Sequence, residues 1–96
     1  MTEPSKDQIM SQAFKFHSQG NIVEAAKYYQ EFINRGFENH AVFSNYGAIL
    51  KSSGKLKEAE LSIRKAIKLN PEYAEAHYNL GIILKNLGKL KEAESS

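Results

Sequence analysis

Leu50-Lys-Ser-Ser-Gly-Lys-Leu-Lys-Glu-Ala-Glu60 returns as Leu84-Lys-Asn-Leu-Gly-Lys-Leu-Lys-Glu-Ala-Glu94, identical at nine of eleven positions and displaced by 34 residues. The same register extends outward from this pair. Glycines fall at Gly20, Gly54 and Gly88 and alanines at Ala25, Ala59 and Ala93, each 34 residues apart. A period of this size marks an array in which each repeat is one supersecondary unit that buries its apolar face against its neighbours. The repeats run over residues 6–39, 40–73 and 74–96, the third truncated, about 2.7 repeats in all.

Within each repeat the apolar residues step by three and four, as they do on one face of a helix. Ile9, Ala13 and Phe16 continue as Ile22, Ala25, Ala26, Tyr29, Phe32 and Ile33; Phe43, Tyr46 and Leu50 continue as Leu56, Ala59, Ile63, Ala66 and Ile67. Glycine between two such stretches ends the first helix at little conformational cost. Asn21 with Glu24, and Ser5 with Gln8, have the spacing of a capping box. Asn70-Pro71 interrupts the chain, because proline disfavours a helical residue before it. The pattern predicts helices over 5–19, 21–35, 39–53, 55–69 and 72–87, with a stub beginning near Leu90.

Composition narrows the function classes. Of 96 residues, 42% are hydrophobic and 25% charged, which suits a folded domain and not a disordered tail. The absence of cysteine excludes disulfides, thiolate metal sites and cysteine nucleophiles. No apolar run reaches membrane-spanning length and the N-terminus lacks a signal-peptide stretch, so the expectation is a cytoplasmic protein without membrane contact. Residues 1–48 carry four Lys/Arg against five Asp/Glu and residues 49–96 nine against six, so the second half is +3 and the first −1. That difference reads first as a set of solvated helix faces and, as the sharper alternative, as a mild preference for acidic partners towards the C-terminal end.

Phe43-x2-Tyr46-Gly47-x2-Leu50, Ala59-x3-Ile63, Ala66 and Pro71 together resemble the tetratricopeptide repeat. His77-x2-Leu80-Gly81-x2-Leu84 with Ala93 follows the same pattern, and Ile9-x2-Gln12-Ala13-x2-Phe16 with Ala25-x3-Tyr29 a more divergent one, Phe37 standing where proline is expected. The resemblance implies an all-α fold, a right-handed superhelical α-solenoid of antiparallel helix hairpins forming a single domain. Gly47, Gly81 and Ala13 would then let the first helix of each hairpin approach the small residues Ala59, Ala93 and Ala25. Leu50, Leu84, Tyr29 and Ile63 would fill the space around that contact, and His77 would pack in the core.

In this family the first helices line a concave groove that binds extended peptides, so the resemblance implies a protein-binding module. The implied peptide-binding residues are Met10, Phe14 and His17 in the first repeat, Asn45 and Lys51 in the second, and Tyr78, Asn79, Ile82 and Lys85 in the third. Asp7, Ser11, Ala41, Ser44, Ala48, Ser52, Glu75 and Asn86 would complete the lining. Met10, Phe14 and Glu75 replace the Lys, Asn and cationic residues of the subclass that captures acidic chaperone tails, which argues against that ligand. Asn45 and Asn79 occupy equivalent positions and resemble the asparagine ladder of O-GlcNAc transferase repeat domains, as does Ala74-Glu-Ala-His-Tyr-Asn-Leu-Gly81. An amide can bond both groups of a ligand backbone whatever its side chains, although equivalent asparagines can equally brace neighbouring helices.

Nothing points to catalysis. His17, His40 and His77 are scattered without metal-ligand spacing, and every glycine belongs to the register or, like Gly36, to a helix end. The expectation is no catalytic residue, metal or cofactor. The lysines of 55–57 and 89–91 have carboxylates beside them and read as solvated surface, so no nucleic-acid partner is expected. An alternative to a freestanding adaptor is the N-terminal substrate-recruiting domain of a larger glycosyltransferase, sulfotransferase or methyltransferase. It is suggested by a sequence that stops in mid-repeat as a fragment would. An incomplete third repeat also predicts self-association through Leu80, Leu84, Leu87 and Leu90.

Overall fold

The computed structural model describes residues 3–95. These form five helices: α1 (Lys6–Ser18), α2 (Ile22–Asn34), α3 (His40–Ser52), α4 (Leu56–Leu69) and α5 (Ala74–Ser95). The described residues contain no strand. The chain divides into two compact units, residues 1–38 and 39–96. In the first, α1 packs on α2; in the second, α3 packs on α4 and α5 packs on α4, with a smaller contact on α3.

The helix boundaries follow from the residues that satisfy their free backbone groups. Ser5 caps α1 in a complete capping box, with Gln8 N–H donating to Ser5 Oγ (3.2 Å) and Ser5 N–H to Gln8 Oε1 (2.7 Å). Asn21 caps α2 by accepting from Glu24 N–H (3.4 Å). The reciprocal half expected there is not made, because Glu24 Oε1 accepts instead from Lys27 Nζ at 3.1 Å. Asn39, unmarked in the sequence pattern, caps α3 by accepting from the N–H groups of Ala41 and Val42 (2.9 and 3.1 Å).

The first three helix ends share one device. Gly20, Gly36 and Gly54 take φ of +77°, +83° and +81°. Asn21 N–H reaches Phe16 O, Phe37 N–H reaches Phe32 O and Lys55 N–H reaches Leu50 O, each closing the six-residue ring that satisfies carbonyls at a left-handed helix end.

Gly88 does not repeat this turn, and the expected helix over 72–87 with a separate stub is corrected to one 22-residue helix, α5. The two differences between 50–60 and 84–94 lie at the residues just before the glycine. Ser53 is the polar C-cap of α3, its Oγ donating to Ile49 O at 3.0 Å. Its counterpart Leu87 packs half-buried against the core of the second unit, a contact made from within a helix. The turn at Gly54 is also rewarded by full burial of Ile63 and Ala66 on α4. Continuing the i→i−4 ladder through one helical glycine costs only about 1 kcal/mol.

The first unit is centred on Ile9, Ala13, Ala25, Tyr29 and Phe32, all buried. Phe14 meets the Tyr29 ring edge-on and Phe16 stacks on Tyr28. Arg35 holds the segment before α1 through Glu3 Oε2 (2.6 Å) and Pro4 O (3.0 Å). The second unit is built on Leu50, Ala59, Ile63, Ala66, Ala76 and Ile83, with Phe43, Tyr46, Ile67, Tyr73, Leu80 and Leu87 packed against them.

Three expected core positions are corrected. His77 is exposed, its Nε2 bonded to Pro71 O at 2.7 Å. Leu84 is 42% exposed. Ala93 is exposed too. All three belong to the repeat in which the chain does not fold back, so no second helix covers them.

Candidate functional site

The helices that should carry a ligand are the first helices of the repeats, α1, α3 and α5. In the second unit α3, which carries Asn45 and Lys51, touches α5, which carries Tyr78, Asn79, Ile82 and Lys85. A direct bond ties the two helices: Lys51 Nζ donates to Asn79 Oδ1 at 2.9 Å across 28 residues of sequence. Asn79 is only 6% exposed. Its amide oxygen is taken by Lys51, so a ligand seeking it has to compete with an ammonium. Spacing alone could not show this, because it does not say which asparagine is buried by its neighbours.

Around the bridge the surface is graded. Tyr78 is 70% exposed, Lys85 and Glu75 are exposed, and Asn45, Ala48, Lys51, Ile82 and Asn86 are half-buried. Burial and then the Glu58 carboxylate push the Tyr46 phenol above its usual range; burial, a hydrogen bond to Glu75 and that group's charge do the same to Tyr73. Both phenols are neutral at physiological pH.

Ser44, expected in the lining, is fully buried, and its Oγ has no hydrogen-bond partner among the described residues. A buried hydroxyl without a partner carries an uncompensated desolvation cost. Ser44→Ala should therefore leave stability unchanged or raise it by up to about 1 kcal/mol in urea unfolding. A loss of that size would mean that the hydroxyl makes a bond in solution.

Met10, Phe14 and His17 lie half-buried on α1 in the first unit. Phe14 and His17 are engaged inward: His17 Nδ1 is bonded to Tyr29 Oη at 2.7 Å and its ring meets Tyr29 edge-on. Among the described residues no group of three His, Asp or Glu side chains could hold a metal ion. None of their helices is long and apolar enough to cross a membrane.

Residues 47–88 match the family model described as TPR repeat. A 61-residue stretch is 39% identical to the TPR repeat-containing thioredoxin TTL4 of Arabidopsis thaliana, covering 64% of this chain and 9% of that protein. A 59-residue stretch is 30% identical to the uncharacterized protein YgeG of Escherichia coli K12, covering 62% of this chain and 36% of that protein. The chain thus spans about a tenth of the first relative and about a third of the second. The matched stretch is similar to the TPR repeat, a kind of repeat that generally mediates protein–protein interaction, and the all-helical fold is consistent with it.

Proposed function

We propose that the chain binds an extended polypeptide segment of a partner protein along its first helices. In the second unit the contacts fall to Asn45, Lys51, Tyr78, Asn79, Ile82 and Lys85. Met10, Phe14 and His17 are the equivalent positions on α1. The observation that carries this reading is the Lys51–Asn79 bond, which fixes α3 against α5 beside a tyrosine left 70% in water. A large aromatic ring left in water is the kind of group on which protein ligands find much of their affinity.

The asparagine ladder belongs to this proposal in modified form. Asn45 and Asn79 stand one repeat apart and both amides are already engaged, Asn79 by Lys51, so each contributes to a ligand only by exchanging its present interaction for a ligand group. Peptides selected on the chain from a random display library supply the probe. Asn45→Ala and Asn79→Ala should each weaken such a peptide by about 1–3 kcal/mol, and Tyr78→Ala by at least as much. A sharp fall in melting temperature with affinity intact would make the asparagines structural braces and remove the ladder.

The finer reading as the recruiting module of a larger transferase is also a proposal, and so is the likeness to O-GlcNAc transferase repeats. What supports a module of a larger protein is the relative whose name joins TPR repeats to a thioredoxin in one polypeptide. Self-association through Leu80, Leu84, Leu87 and Leu90 is part of the same proposal.

A further inference from the structure

Two nearly identical eleven-residue stretches take different structures in this chain. Residues 50–60 end α3, turn at Gly54 and begin α4, whereas residues 84–94, identical at nine of eleven positions, run straight through Gly88 inside α5. The residues that close the turn are among the identical ones. Gly54 N–H donates to Lys51 O (3.0 Å) and Lys55 N–H to Leu50 O (2.9 Å), and their counterparts are Gly88, Lys85, Lys89 and Leu84. What the two segments cover differs as well. Ala59 is fully buried, its carbonyl oxygen 3.4 Å from a Cβ built on Gly47, and Leu56 is half-buried. Their counterparts Ala93 and Leu90 are exposed, while a Cβ built on Gly81 meets nothing within 4 Å and Leu84 is 42% exposed. The chain therefore holds an open face together with a copy of the segment that covers that face one repeat earlier.

We propose that residues 89–95 are a lid, which closes over Gly81 and Leu84 by forming at Gly88 the turn that the chain already makes at Gly54. Closing lays Ala93 on Gly81 as Ala59 lies on Gly47, and brings Leu90 to the place of Leu56. Glycine enters the left-handed conformation of such a turn without steric cost. Leu87 opposes closure: it packs half-buried against the core of the second unit, and the turn would draw it to the exposed position that Ser53 holds at the end of α3. The straight helix is thus the lid held open by one leucine, against the burial that Leu90 and Ala93 gain on closing. Closure covers Leu84, so it competes with a second copy for the same face. That consequence rests on the self-association proposed above, whereas closure itself does not.

Because the chain has no cysteine, Gly81→Cys with Ala93→Cys gives a single reporter pair in the full chain. Along a straight helix these twelve residues span about 18 Å, well beyond the roughly 7 Å between Cα atoms that a disulfide can bridge. Dilute protein is oxidised with diamide, and the intramolecular disulfide is followed by mass after alkylation. Leu87→Ser on the reporter chain should speed its formation about tenfold or more, because serine removes the opposing contact and supplies the cap found at Ser53. Gly88→Asn and Gly88→Val separate the lid from fraying. The two residues have similar helix propensity, but asparagine tolerates the left-handed conformation and a β-branched residue does not. Gly88→Val should therefore form the disulfide about tenfold or more slowly than Gly88→Asn. Helical circular dichroism before oxidation shows that each variant is folded. The proposal is overturned if no intramolecular disulfide forms even with Leu87→Ser. It is equally overturned if the asparagine and valine variants react at one rate, since loosening of the helix end alone would then bring the cysteines together. Light scattering reads self-association separately, so the two can fail independently.

Discussion

Gly47→Ala is expected to destabilise the chain by about 1–3 kcal/mol, and Gly47→Leu by more. Gly81→Ala, at the equivalent position of the next repeat, is expected to be neutral or stabilising by up to about 1 kcal/mol. A Cβ built on Gly47 would stand 2.6 Å from Ile63 Cδ1 and 2.7 Å from Ile63 Cγ1, with the Ala59 carbonyl at 3.4 Å. Ile63 is fully buried and β-branched, so its χ1 has one strongly preferred setting in a helix and little freedom to swing aside. The extra methyl must either force Ile63 out of its preferred rotamer or push α3 and α4 apart, and both cost stability. At Gly81 the same methyl meets nothing within 4 Å, which leaves only the better helix propensity of alanine. Urea unfolding of the two variants, with m unchanged so that midpoints report stability, makes the comparison. Equal responses at the two glycines would show that the hairpin contact is looser than the geometry says.

Those two glycines also show what could be read from the sequence. The period of 34 placed Gly47 against Ala59, and that contact is present because both helices that make it are complete. The same period placed Gly81 against Ala93, and there the expectation fails. Periodicity counts residues, but a turn forms only if the helix beyond it has somewhere to be buried. The decisive difference is small: Leu87 where Ser53 caps the earlier helix. A serine closes a helix end in water, while a leucine drawn to the core keeps its helix going.

Burial accounts for the rest. Asn45 and Asn79 were recognisable as a repeated pair, but the reach of Lys51 to Asn79 depends on how closely α3 approaches α5. Ser44 read as groove lining because its position is polar, yet it is fully buried.

At millimolar concentration the chain is expected to self-associate, and Leu84→Lys to weaken that association about tenfold or more. In the second repeat the face of the first helix that holds Gly47 is covered by Ile63 of α4. In the third, Gly81 is open, Leu84 is 42% and Leu90 52% exposed, and Leu80 and Leu87 are half-buried beside them. Leu80, Leu84 and Leu87 stand at i, i+4 and i+7, the narrow apolar stripe that a second helix would cover. A second copy offers the same stripe, and two copies related by a two-fold axis can cover each other with one self-complementary patch. A few leucines bury far less than the roughly 1,200–2,000 Å² of a standard interface, so the affinity should be weak. Light scattering across a concentration series gives the measurement, with Leu61→Ser as the control that should not change it. Appending a second helix patterned on Leu56–Leu69 after the third repeat should abolish association by covering Gly81 and Leu84. A parent chain that stays monomeric throughout, with Leu84→Lys indistinguishable from it, would mean that the half-burial of Leu80 and Leu87 against their own core already leaves too narrow a stripe for a second copy to hold.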